Sequence, residues 1–160
     1  MYDMINIMDA TANTVETMPY REKTAWLALA ALGLPYSVYF VWVIVHPPRA
    51  PMPDWDSWIV FGVALSVSVL IWVGGAVWLR RGAPDEARAP LDERDLAISR
   101  RSIQTGYSIL VSGLVINIGC VFPFTTGGWK LINSGIAMLV LAELVRYSMA
   151  VWLYRRGGHV

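Results

Sequence analysis

Residues 58–79 read WIVFGVALSVSVLIWVGGAVWL, twenty-two consecutive positions without a charged side chain. At 1.5 Å per residue a helix of this length reaches about 33 Å, enough to cross a hydrocarbon core of about 30 Å. Three further runs have the same character: Ala25–Val45, Ile103–Phe124 and Leu131–Tyr154, of which only the last is broken by charge, at Glu143 and Arg146. Inside lipid every backbone N–H and C=O must find its partner within the protein, so runs this long and apolar form helices. The composition agrees. The chain has 160 residues, 56% hydrophobic and 16% charged, whereas a soluble domain carries about 25% charged residues. The pattern predicts an all-α, polytopic membrane protein built as a four-transmembrane-helix bundle. An N-terminal segment (1–24), a connector (80–102) and a tail (155–160) lie outside the spans.

The basic residues orient the spans. Arg21, Lys23, Arg80, Arg81, Arg88, Arg94, Arg100, Arg101, Arg155 and Arg156 fall on one side, and only Arg49 and Lys130 on the other. The excess of Lys and Arg in cytoplasmic loops predicts a cell (inner) membrane protein with both termini and the 80–102 connector in the cytoplasm. Trp26, Trp42, Trp55, Trp58, Trp78, Trp129 and Trp152 sit near span ends, as an aromatic belt requires. Residues 1–20 contain Asp3, Asp9 and Glu16 but no Lys or Arg. A basic n-region is therefore missing, and the first span reads as retained. The outward turns, HPPRAPMPDWDS (46–57) and TTGGWK (125–130), are too short for a folded domain. A protein partner of any size therefore docks on the cytoplasmic face.

The densest charge stands in PLDERDLAISRRS, residues 90–102. Asp92 is placed to cap a helix by accepting from the N–H of Asp95, and Leu91 with Leu96 fits a hydrophobic staple. Asp92, Glu93 and Asp95 sit where the helix dipole favours negative charge, and Arg100 and Arg101 fall near the level of lipid phosphates. Arg94 has no acid three or four residues away, so its partner lies on another helix end, in the segment Tyr20–Lys23, or on another protein.

LDERDLAISRRSIQTGYSIL resembles the DERD-x-x-I-x-x-R signature of a family of small four-span bacterial and archaeal membrane proteins of unknown function. REKTAWLALAALGLPYSVYF resembles the first span of such proteins. The motif positions here are Asp92, Glu93, Arg94, Asp95, Ile98 and Arg101. The resemblance implies no established activity. The family's link to small helix-turn-helix regulators implies a role as a membrane partner.

Glu143 and Arg146 stand three residues apart within the fourth run, spaced to pair on one helix face. A charge at the bilayer centre costs at least about 3 kcal/mol, which makes the pair a candidate site. It reads either as a self-neutralised pair joining helices or as a protonatable Glu143 lining a polar path. Tyr36, Ser66, Ser68, Ser112 and Gly113 lie at similar depth. Asn117 and Asn133, nearer the outer surface, are placed to bond one another. Gly33 and Pro35 are expected to loosen the first helix, with Ser37 satisfying freed backbone groups.

Catalytic chemistry finds little footing. Cys120 is the single cysteine, which rules out an intrachain disulfide and a CxxC centre. His46 and His159 fall on opposite sides of the bilayer and cannot share a haem or metal. No GxSxG, Walker A or GxGxxG motif occurs. The sequence predicts no catalytic residues, no cofactor, no metal and no nucleic-acid contact. The leading reading is a non-enzymatic membrane component working through protein contacts on Asp92, Glu93, Arg94, Asp95, Arg100 and Arg101, with the segment Tyr20–Lys23 and the Arg155-Arg156 tail completing that face. The rival is a homo-oligomeric, proton-coupled transporter or channel using Glu143.

Overall fold

Each apolar run becomes helical, three of them as one α-helix apiece and residues 103–124 as an α-helix that passes into a π-turn and a last short turn. In the computed structural model, which describes residues 18–47, 55–124 and 128–156, helix α1 spans Tyr20–Val45 and α2 spans Trp55–Gly82. A single short turn of helix, α3, covers Pro84–Arg88, with Pro84 at its first position, where a missing N–H is harmless. Helix α4 runs Glu93–Ile116, and α5 runs Gly128–Arg155. The expectations for residues 1–17, Arg49 with its Pro-rich turn, Thr125–Gly127 and His159 lie outside the described residues.

All four long helices are apolar enough to cross a membrane. The molecule is an all-α, multi-pass four-helix bundle. Its outward faces stay apolar and exposed, as at Leu34, Val38, Ile44 and Leu70, which is how a helix meets lipid rather than water. Association between such helices relies on close packing and interhelical hydrogen bonds.

Three seams carry that packing: α1 with α2, α1 with α5, and α5 with α4. The helices thus follow the order α2, α1, α5, α4, with the second and third spans at the flanks. The α4–α5 seam is built on small residues. Ser102, Gly106, Gly113 and Asn117 are buried along one face of α4. A Cβ added to Gly106 would lie 2.8 Å from Cβ of Arg146 and 3.2 Å from the carbonyl oxygen of Ala142. One added to Gly113 would lie 2.9 Å from Sδ of Met138. Gly106 is what brings α4 against the α5 backbone, and Gly113 makes room for the Met138 side chain.

Proline leaves a mark in one of the two spans that contain it. Pro123 has no N–H and crowds the carbonyl four residues back, and the ladder widens into a π-turn over Asn117–Val121 before a last turn at Phe122–Phe124. Pro35 lies within α1 without interrupting it. Ser37 donates to the carbonyl of Gly33 at 2.6 Å, not to that of Ala31, whose usual donor Pro35 removes. The expected repair at Pro35 is therefore a reinforcement one turn later.

Candidate functional site

The starts of α1 and α4 and the end of α5 meet at one end of the bundle, and charge ties them together. Arg21 on α1 places Nε 2.8 Å from Oδ2 of Asp95 on α4. Its Nη2 also donates to the carbonyls of Ala89 and Pro90, at 3.3 and 3.5 Å, fixing the connector that leads into α4. The other carboxylate oxygen of Asp95 accepts from the Tyr154 hydroxyl on α5, at 3.0 Å. Arg94 donates to the backbone carbonyl of Tyr154 at 3.4 Å, where the negative end of the α5 dipole favours a cation. A second link runs directly between α5 and α1. Nε of Arg155 donates to Oε1 of Glu22 at 2.9 Å, the Trp26 indole donates to the same oxygen at 3.4 Å, and the Arg155 guanidinium covers the Trp26 ring at 5.2 Å.

Asp92 caps α4, but its carboxylate accepts from the N–H of Arg94 at 2.8 Å rather than from that of Asp95. Asp95 is turned inward, toward Arg21 and Tyr154. The expected staple does not bury its leucines, since Leu91 and Leu96 are 53% and 40% exposed. Of the motif residues, Arg94 and Asp95 have partners within the chain, Ile98 is buried, and Asp92, Glu93, Arg100 and Arg101 are exposed. Asp95 and Ile98 face inward, while the other motif residues, Arg94 included, lie on the exposed surface.

Glu22, within the segment Tyr20–Lys23 that the sequence offered as a partner for Arg94, completes the network with Trp26 and Tyr154, which the sequence did not single out as site residues. A signal existed. Glu22 and Trp26 stand four apart on one face of α1, and a carboxylate buried to 6% exposure requires a cation. Which cation reaches it depends on the tertiary position of α5, a feature without local signature.

Deeper in the bundle, Nη1 of Arg146 pairs with Oε2 of Glu143 at 3.1 Å, and the Arg146 guanidinium lies 5.1 Å from the Tyr147 ring centre. Glu143 also lines a half-open groove of about 480 Å³ between α1, α2 and α5, together with Tyr36 and Ser68. Ser66 returns its hydroxyl to Gly62 on its own helix at 2.7 Å, Ser112 is exposed on α4, and Gly113 faces Met138. Asn117 lies elsewhere, nearer the opposite end.

At the opposite end, where Asp56 and Lys130 lie, the links described between helices are neutral. Asn117 and Asn133 do not meet. Asn117 donates to the Ser134 hydroxyl at 2.7 Å, while Asn133 accepts from the Tyr39 hydroxyl at 2.6 Å and donates to the carbonyl of Trp129 at 3.0 Å. They diverge because each is captured by a neighbour on α5 or α1. Tyr39 is fully buried and packs its ring against Phe40 and Phe61, with Trp58 reaching Trp129 beyond.

Among the described residues no group of three or more His, Cys, Asp or Glu side chains is gathered to hold a metal. The arrangement is suited to fixing helix ends and presenting charge. The chain matches no protein-family model, no curated protein and no solved structure.

Proposed function

We propose that this is a small cell-membrane component, with both termini cytoplasmic, that acts through protein contacts at its charged end as a regulatory, assembly or accessory subunit. The observation that carries the reading is the division of the 92–101 stretch. Asp95, half-buried, ties α4 to α1 and α5, and Arg94 adds a longer bond to α5 from an exposed position, while Asp92, Glu93, Arg100 and Arg101 remain exposed. A charged surface whose geometry is already fixed loses little conformational entropy on docking. Ten of the chain's thirteen basic residues lie at this end, which supports the cytoplasmic orientation. The resemblance to the DERD-motif membrane proteins points the same way.

The test is site-specific photo-cross-linking in native membranes from positions 93 and 100. The reading expects one discrete cross-linked partner that disappears in Glu93→Lys/Arg100→Glu while the melting temperature holds. No cross-link from either position in folded protein counts against it.

A second reading rests on a different observation. Glu143 shares its groove with Tyr36 and Ser68, which is the setting for a coupling carboxylate in an oligomeric proton-coupled transporter or channel. Reconstituted Glu143→Gln protein should then lose pH-driven flux, and unchanged flux rejects this reading.

A further inference from the structure

Two half-open grooves adjoin along the side of the bundle. One, of about 270 Å³, sits at the charged end, where Arg21, Asp95, Ser99, Ser102, Arg146 and Tyr154 supply polar walls. The other, of about 480 Å³, is lined chiefly by apolar side chains, among them Leu32, Leu65, Val69 and Val73. Ala28, Trp72 and Tyr147 belong to both linings. The pair therefore forms one continuous cleft, polar at the charged end and apolar toward the middle.

The cleft exists because α2 and α4 are at the flanks. The main seams of α2 and α4 are to α1 and α5, respectively, so the space between α2 and the α4–α5 pair is left to side chains. Small residues hold it open, with Ala28 and Ala31 on α1 and Ser68 on α2.

We infer that this cleft seats one phospholipid with an anionic headgroup, its phosphate between Arg21 and Arg146 and one acyl chain against Leu65, Val69 and Val73. Length supports this. Along α1 the lining runs from Arg21 to Tyr36, about 22 Å at 1.5 Å per residue, and half of a bilayer with its headgroups is about 20–22 Å thick. Polarity supports it as well, since the cleft changes from polar to apolar along the same axis as a lipid monolayer. Charge selects the headgroup. Both arginines of the polar groove already hold a carboxylate, Arg21 with Asp95 and Arg146 with Glu143, so the positive excess comes from the surrounding end of the bundle, where ten Arg and Lys stand against six Asp and Glu among the described residues. Arg146 engages Glu143 through Nη1, and its guanidinium carries five N–H donors in all. Arg21 directs Nε and Nη2 to protein acceptors. Basic pockets between transmembrane helices are an established class of headgroup site.

The site shares Arg21 and Asp95 with the charged end, so its test changes Glu143, Arg146 and Val69 and leaves Glu93 and Arg100 in place. Native mass spectrometry of delipidated full-length protein, with phosphatidylglycerol or phosphatidylcholine added back, tests it. The inference expects about fivefold greater retention of phosphatidylglycerol. Retention should fall in Glu143→Gln/Arg146→Gln, which removes the guanidinium without stranding a charge. It should fall again in Val69→Trp, which fills the apolar half from an exposed position and keeps the test open if the double variant does not fold. Equal retention of the two lipids, or undiminished retention in Val69→Trp, overturns the inference. Displacement of the lipid by millimolar glycerol 3-phosphate or inorganic phosphate also overturns it, since the site would then take free phosphate rather than a lipid.

Discussion

The two ends of the bundle join the same helices by different chemistry. At the charged end, α1, α4 and α5 are linked through Arg21–Asp95 and Arg155–Glu22, with Tyr154 bridging. At the opposite end the links are neutral, Tyr39 to Asn133 and Asn117 to Ser134, set among aromatic rings. Depth explains the contrast. The ion pairs fall at helix termini, where water and headgroups reach and a charge is tolerated, as the 58% exposure of the Arg155 side chain illustrates. Tyr39 is fully buried among apolar rings, and a charge there would meet no such relief. The lesson is that a membrane bundle can be fastened at both ends yet respond to salt at only one.

The largest effect should come from the seam that both ends depend on. Gly106→Val puts a branched Cβ against Arg146 and the Ala142 carbonyl and should lower stability by about 3 kcal/mol, read by unfolding in detergent. A change below about 0.5 kcal/mol would mean the α4–α5 contact is looser than described. Next is Arg155→Ala. It leaves the Glu22 carboxylate buried with only the Trp26 indole, so about 2 kcal/mol should be lost, a figure reduced from the fully buried case because Arg155 is partly exposed. The same variant measured in 1 M salt should lose less, because salt already screens the pair in the parent protein.

Tyr39→Phe probes the neutrally linked end. It removes one buried interhelical hydrogen bond and should cost about 1 kcal/mol, equally at low and high salt. A salt-dependent loss would erase the distinction between the ends. The smallest effect belongs to Arg94→Ala, at about 0.5 kcal/mol, because its 3.4 Å bond to a carbonyl comes from an exposed guanidinium. A loss above about 2 kcal/mol would show Arg94 to be a principal tie rather than a minor one.

Much of the fold was legible in the sequence because uninterrupted apolar runs such as 58–79 admit a single solution in lipid. The helix start at Asp92 was legible too, since capping is decided within one turn. The order of helices was not, because lipid-facing and partner-facing apolar residues look alike along a chain. That missing order is why Arg94 had no evident partner and why Asn117 and Asn133 were expected to meet. Arg94 was expected to pair with another helix end among other places and does so at Tyr154, whereas the asparagine pairing failed because it depends on which helix stands next to which. The cleft was hidden for the same reason. Its walls, from Arg21 to Trp72 to Tyr147, come from four separate helices.

The central claim is that Asp95, the inward-facing carboxylate of the charged motif, ties helix ends together. A double-mutant cycle on Arg21→Gln and Asp95→Asn, followed by unfolding in detergent at low salt, addresses it directly. The structure, with Nε and Oδ2 at 2.8 Å and both side chains less than a third exposed, predicts a coupling of about 1 kcal/mol that shrinks in 1 M salt. Additive effects, with no coupling at either salt concentration, would contradict it.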